Sequence, residues 1–364
     1  MPAPRVTIAQ VAAEASVSAM TVSNVLNAKP GASEATRRRV LDAAARLGYT
    51  APANRGGRRG RTGMIGVLTL DLISEYSHEI IDGIAGEIAA DERELLINAA
   101  VDAIRERDRI AFFAKGMVDG LLLIAPVLEP ETVDEIRSSD LPVVVIDPRR
   151  FDLPLPRVSV DNYDGVRTGT QHLIDLGHRR IAYIRGEEDH ESTERRYRGF
   201  ADAMLLAGLT PDPSLITAAG FNRLSGRRAT EQLLAGRPTA TEQLLAGGRP
   251  TATEQLLAGR RLAAWPTAIV AGCDPIALGA VDAIRALGMS VPGDMSVLGF
   301  DDLPQAAHHT PALTTVRQPL HEMGAAATRA LLTLISGQQL ATDDIRLPAT
   351  FIPRESTASP GGVT

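Results

Sequence analysis

The chain has 364 residues, enough for two or three domains, and 44% of them are hydrophobic, enough for substantial cores. It opens with no basic-then-apolar leader, carries no apolar run of about 18 residues and holds a single Cys, so secretion, membrane insertion and a disulfide framework are disfavoured and a cytoplasmic location is expected. The formal charge of −6 is unevenly placed: residues 1–63 hold ten Arg/Lys against three Asp/Glu and the rest 28 against 41, and a basic N-terminal module on an acidic body is the footprint of a nucleic-acid binder.

The first elements fall in VTIAQVAAEASVSAMTVSNVLN, residues 6–27. Thr7 and Gln10 form a capping box, and Ile8, Val11, Ala12 and Ala15 recur at helical spacing. Ser16-Val17-Ser18 breaks that pattern, and Ser18 is a good N-cap for a second helix with Val22, Val25 and Leu26 facing inward. Two short helices joined by a tight turn, with a small polar outer face, match a helix-turn-helix. The stretch resembles the headpiece of the lactose-repressor (LacI/GalR) family, V-T-x-x-x-V-A-x-x-A-x-V-S-x-x-T-V-S-x-V-L-N, in nearly every position. The resemblance implies an operator-binding transcriptional regulator.

Lys29-Pro30-Gly31 reads as a loop, and Ser33 caps a third helix over 34–47 that stops at Gly48. Its expected apolar stripe is Val40, Leu41, Ala44 and Leu47, with Arg37, Arg38 and Arg39 crowding the first turns. Residues 50–63, TAPANRGGRRGRTG, form an Arg/Gly-rich linker. The family places a hinge here that becomes helical on DNA and wedges a leucine into the minor groove. This linker has no leucine and looks one residue shorter, and each Gly costs a helix about 1 kcal/mol relative to Ala. No ordered hinge helix, wedge or kink is therefore expected, although Arg55, Arg58 and Arg59 suit a narrow minor groove.

From Met64 strands and helices alternate: strand MIGVLTL, helix 78–90, strand LLINAAV, a helix through Phe112, strand GLLLIAP, a helix, strand PVVVID. After Asp161 the alternation restarts, with helix 165–176, strand RIAYIRG, helix 194–207, strand 215–218, a helix, strand AIVAGCD, helix 276–287 and strand MSVLGFDD. Such alternation predicts an α/β fold with parallel sheets, in two similar lobes. GHRRIAYIRG, ERRYRGFADAM, VPGDMSVLGFDD, LTTVRQP and PRES extend the resemblance over residues 5–357. It implies a two-lobed, periplasmic-binding-protein-like core with a ligand held between lobes. The expected organisation is a headpiece at 1–49, the linker at 50–63, a first lobe at 64–161 and 319–338, a second at 162–318 and 339–357, and a tail at 358–364.

One segment stands apart. TEQLLAGRPTA (230–240), TEQLLAGGRPTA (241–252) and TEQLLAGRRLAAWPTA (253–268) are tandem copies, and Pro238 and Pro250 forbid one long helix. The reading is an insertion of 230–252 in the second lobe. Deleting it is expected to preserve folding and DNA binding, because added loop length is thermodynamically cheap. Loss of soluble dimer in gel filtration would show that it belongs to the core.

By position in the family motif, Ala19, Met20 and Asn24 take the base-reading slots, Asn24 suiting adenine and the other two only apolar contact. Thr7, Ser18, Thr21, Ser23 and Asn27 suit phosphate. Met20 and the Thr21–Ser23 turn also have a plain packing explanation. One headpiece spans few base pairs, so a homodimer on a near-palindromic operator is implied. For the effector, open α/β sheets place ligands at strand ends. Tyr76, Ser77, Asp147, Arg149, His190, Ser192, Arg196, Phe221, Cys273 and Asp301 lie there, a donor–acceptor set suited to a sugar or nucleoside. Asp161 and Asp302 have the alternative of capping helices or binding across lobes. Cys273 stands where the family commonly has Asn, and a thiol is the poorer hydrogen-bond partner.

A repressor modulated by a small polar, carbohydrate-like effector is the leading reading. A transporter's solute-binding protein is the alternative, since it shares the lobes but not the basic helix-turn-helix. An enzyme is not expected: no G-x-G-x-x-G follows the first strand, and P-loop, G-x-S-x-G and zinc-ligand spacings are missing, so no cofactor or metal is assigned.

Overall fold

Thr7 starts the first helix by the means its sequence supplies. In the computed structural model, which describes residues 7–26, 32–47, 49, 62–100, 102–235 and 265–360, the Thr7 side chain accepts from the Gln10 N–H. The Thr7 N–H in turn donates to Gln10 Oε1 at 2.7 Å, closing the capping box that opens α1 (Ile8–Ala15). Ser16, at φ 52°, turns the chain, and Ser18 Oγ accepts from the Thr21 N–H at 3.1 Å to start α2 (Ala19–Leu26). Ser33 does the same for α3 (Glu34–Arg46).

Val11, Ala12, Ala15, Val22, Val25, Val40, Ala43 and Ala44 pack as one small core. Two expected core positions are corrected: Ile8 is 37% and Leu41 49% exposed. The inward arc of α3 follows the i, i+3, i+4, i+7 pattern from Val40 through Ala43 and Ala44 to Leu47, which leaves Leu41 at its edge. Residues 27–31, which include the expected Lys29-Pro30-Gly31 loop, Gly48, residues 50–61 of the expected linker and most of the repeated segment, 236–264, lie outside the described residues.

The first sheet is parallel and six-stranded, in the order β11-β5-β4-β3-β1-β2. Its strands are β1 (Met64–Thr69), β2 (Glu94–Ala99), β3 (Gly120–Ile124), β4 (Val143–Ile146), β5 (Arg157–Val160) and β11 (Asp344–Leu347). The central runs GLLLI and VVVI are buried throughout, as strands covered on both faces must be. The second sheet, also parallel, runs β7-β6-β8-β9, from β6 (Ile181–Arg185), β7 (Ile216–Ala218), β8 (Ala268–Ala271) and β9 (Ser296–Leu298). A short antiparallel pair, β10 (Thr315–Arg317) with β12 (Thr350–Ile352), completes the pattern.

Helices cover both sheets: α4 (Glu75–Ala90), α5 (Ala103–Ala114), α6 (Pro130–Ser138), α7 (Asn162–Asp175), α8 (Glu191–Leu206), α9 (Arg223–Leu233), α10 (Asp274–Ala286), the short α11 (Pro304–His308) and α12 (Leu320–Ile335). Where α9 crosses α10, a Cβ on Gly226 would strike the Ile276 backbone and one on Gly279 the Arg223 carbonyl, so only glycines allow that approach.

The chain passes between the sheets three times. It leaves β5 for α7, returns from β9 through β10 to α12 on the first sheet, and leaves β11 for Ser356, whose carbonyl accepts from the Val297 N–H at 2.8 Å. Residues 339–357 are therefore not all in the second lobe, as expected from sequence. β11 pairs in parallel with β5, Ile345 opposite Val158, and extends the first sheet. Asp161 and Asp302 take their alternative roles. Asp161 caps α7 through the Asp164 N–H, and Asp302 pairs with Arg317 on β10 and with Arg354 just past β12.

Candidate functional site

The order of each sheet has a switch point, β1 against β3 in the first and β6 against β8 in the second, and open α/β sheets bind ligands at the carboxyl ends of such strands. There the structure has a cavity of about 450 Å³, walled by both lobes. The ten residues expected to meet an effector from sequence all line it. Tyr76 and Ser77 come from the first turn of α4, Asp147 and Arg149 from the end of β4, and His190, Ser192 and Arg196 from the start of α8. Phe221 precedes α9, Cys273 precedes α10 and Asp301 follows β9.

Arg196 is the organising cation, only 4% exposed. Its Nε donates to Asn162 Oδ1 at 2.7 Å and its Nη1 to the Gly272 carbonyl at 2.6 Å. The Asp301 carboxylate stands 3.8 Å from Nη1, and the guanidinium lies over the Phe300 ring at 3.8 Å. Asp301 Oδ1 also accepts from Gln318 Nε2 at 2.6 Å, and Asp147 Oδ2 from the Tyr76 hydroxyl at 2.9 Å. Both aspartates sit at positive φ, 52° at Asp147 and 126° at Asp301, a strained backbone that aims two buried carboxyls into one space. Phe221 meets the His190 ring edge-on at 4.9 Å. Cys273 is buried at the N-cap of α10 and makes no side-chain cap bond.

On the headpiece, Ala19 and Met20 open α2 on its outer side, Met20 at 70% exposure. That exposure removes the packing explanation for Met20. Thr21 and Asn24 are half-buried, and Thr21 pairs with Ser18. Thr7 and Ser18 are exposed caps; Ser23 lies within α2. Asn27, Arg55, Arg58 and Arg59 lie outside the described residues.

Residues 7–51 match the family described as bacterial regulatory proteins, lacI family. Residues 62–240 match the periplasmic binding proteins and sugar binding domain of the LacI family, and 170–357 a periplasmic binding protein-like domain. The transcriptional regulator RegA of Clostridium saccharobutylicum is 32% identical over 96% of this chain and 98% of its own. The chain belongs to the lacI family. It is a DNA-binding transcriptional regulator, and the headpiece decides against the transporter reading. Among solved structures, a transcriptional regulator CelR–cellobiose complex is similar at TM-score 0.69 and 29% identity, over 97% of this chain and all of that one. A lac repressor dimer bound to operator shares the fold at TM-score 0.67 and 24% identity, over 98% and 100%. No described helix is long and apolar enough to cross a membrane.

Sequence reasoning missed the groups that hold this lacI-family cavity in shape. Asn162 and Gln318 fix Arg196 and Asp301, and Asp274, fully buried, accepts from Thr315 Oγ1 at 2.6 Å and from the Leu303 N–H at 2.9 Å. Gln318 carried a signal as the Gln of the LTTVRQP motif, and Asp274 as the acid that follows Cys273 in the family's N-D-x-x-A-x-G pattern, whereas Asn162 carried none.

Burial dominates the electrostatics. It pushes the Asp301 carboxyl up to about 8 against the pull of Arg196, with Asp274 adding to the rise. Burial also raises Asp147, again against Arg196, and drives His190 down to about 4, with Arg149 adding to the fall. A carboxyl whose pKa rises on folding binds more protons folded than unfolded, so its contribution falls as pH climbs through the folded value. For Asp301 that loss runs from about pH 4 to about 8. His190 acts oppositely, losing stability as pH falls from 6.5 toward 4. Above pH 6.5 the Asp301 effect stands clear of His190. The melting temperature is expected to fall from about pH 6.5 to 8.5, and Asp301→Asn to flatten the slope. A wild-type melting temperature that stays level across that range would count against a raised Asp301.

Proposed function

We propose that this regulator is a homodimeric repressor of a near-palindromic operator, controlled by a neutral, hydroxyl-rich effector bound between its lobes. The observation that carries the reading is the convergence of Asp147, Asp301 and Arg196 on one cavity reached from both lobes. A ligand spanning it makes different contacts when the lobes close, which gives it the differential affinity that coupling to DNA requires. At about 450 Å³ the cavity falls among small-molecule sites, roughly 300–1,000 Å³.

The carboxyl-rich lining and the prior engagement of its arginines favour a neutral ligand over a sugar phosphate. Asp71, Glu75, Asp147, Asp274 and Asp301 line the cavity against Arg149, Arg196 and Arg223. Each arginine is already engaged: Arg149 by Asp189, Arg223 by Asp282 and Arg196 by Asn162 and the Gly272 carbonyl. Phe221, Pro275 and Leu278 offer an apolar wall to a sugar's C–H face. The CelR relative is described with cellobiose, so disaccharides are the first class to screen.

The test is a thermal-shift screen of neutral sugars, nucleosides and sugar phosphates on the purified chain. Binding to operator DNA selected from a random library then follows with each hit. A neutral sugar should raise the melting temperature and change operator affinity. A sugar phosphate outcompeting its parent sugar would overturn the effector class, and DNA binding indifferent to every stabilising ligand would overturn the coupling.

A further inference from the structure

His190 borders the effector cavity, yet its Nε2 is turned toward the carboxylates of its own loop. The residue is 6% exposed, and its Nε2 has no hydrogen-bond partner among the described residues. A buried ring nitrogen left unpaired is costly, so an occupant is expected. Nε2 faces the carboxylates of its own loop, Glu187 Oε2 at 3.4 Å and Asp189 Oδ1 at 4.0 Å. One ligand atom from each of the three residues lies within 4.8 Å of the others. Beside them is a hollow of about 330 Å³, bordered by Arg150, Phe151, Asp152, Glu188 and Glu194.

We infer that Glu187, Asp189 and His190 form a divalent transition-metal site, best suited to zinc, on the loop between β6 and α8. One imidazole and two carboxylates make a borderline donor set, which favours Zn²⁺ over the all-oxygen preference of Mg²⁺ and Ca²⁺. Zinc bonds nitrogen and oxygen at roughly 2.0–2.2 Å, so the two exposed acidic side chains close inward on it. Three protein ligands leave a coordination position open to the hollow.

The site has a built-in competitor. Arg149 Nη1 donates to Asp189 Oδ2 at 2.9 Å and lies 3.8 Å from Glu187 Oε2. Arg149 follows β4 in the first lobe, whereas the acidic pair follows β6 in the second. Zinc therefore exchanges an ion pair across the lobe boundary for a site within one lobe. Metal and lobe closure are linked through that one arginine.

The test titrates the full, chelator-treated chain with zinc chloride against a chromophoric chelator, with no sugar or DNA present, so its outcome is independent of the effector reading. One zinc per chain is expected. His190→Gln should weaken it by more than the roughly 10–100-fold that changes beyond the ligands themselves cost. Glu187→Gln, at an exposed position, supplies a second loss should His190→Gln misfold. Arg149→Ala should tighten zinc binding by removing the competing charge, which a merely structural arginine would not do. No bound zinc, zinc retained at full affinity in both His190→Gln and Glu187→Gln, or weaker binding in Arg149→Ala overturns the site.

Discussion

Replacing Arg196 by alanine is expected to destabilise the chain by roughly 3–5 kcal/mol, the range for removing one partner from a buried ion pair. The substitution strips hydrogen bonds from Asn162 Oδ1 and the Gly272 carbonyl and removes a buried cation facing Asp301. Contact with the Phe300 ring goes too. Part of the loss is returned, because a buried carboxyl can take up a proton rather than stay charged. The cost should therefore be larger at high pH than at low pH. Arg196→Lys should fall between the two, since an ammonium cannot reproduce a fork that reaches Asn162 and the Gly272 carbonyl from two nitrogens. Urea unfolding of the three chains at about pH 6.5 and 8.5 checks this. An alanine variant within about 1 kcal/mol of wild type would mean that the pair contributes only what an exposed ion pair does.

The parts legible in the sequence are those whose cause is local. Thr7 with Gln10, Ser18 and Ser33 announce three helix starts within a few residues of each cap, and the structure has them there. The cavity was legible for a different reason. Strand ends in alternating α/β chains converge, so polar residues just past apolar runs, such as Asp147 after VVVI, were bound to gather.

What stayed hidden depends on distant partners. β5, β10, β11 and β12 are only three or four residues long, and none is an unbroken apolar run. β11, Asp-Ile-Arg-Leu, has no strand signal beyond two alternating apolar positions. Its place beside β5 is set by an open sheet edge nearly two hundred residues earlier in the chain. Asn162 reads as an ordinary first-turn residue of α7 until Arg196 is seen to reach it. Supporting residues of this kind have no pattern of their own, because their role is defined by the group they hold.

The largest effect is expected on DNA. If two headpieces neutralise roughly six to ten phosphates, operator affinity should fall about 10³–10⁵-fold between 50 and 200 mM salt. Residues 1–63 supply the charge, with ten Arg/Lys against three Asp/Glu. Beside that sequence-independent term, the proposed base readers are few: Ala19, Met20 and Asn24. Asn24→Ala should cost about 1–3 kcal/mol at the selected site and leave the salt slope unchanged, because the role proposed for Asn24 is a base contact and not a phosphate contact. Met20→Ala should also relax preference at one position while leaving the headpiece folded, since Met20 is 70% exposed. Val22→Ala is the contrasting control, because Val22 is fully buried in a core of only a few small side chains, and its truncation should abolish specific and non-specific binding together by unfolding the module. Salt-titrated binding of the four chains to the selected site and to a scrambled duplex separates these cases. Equal losses on both duplexes for Asn24→Ala would mean that α2 positions the headpiece without reading sequence.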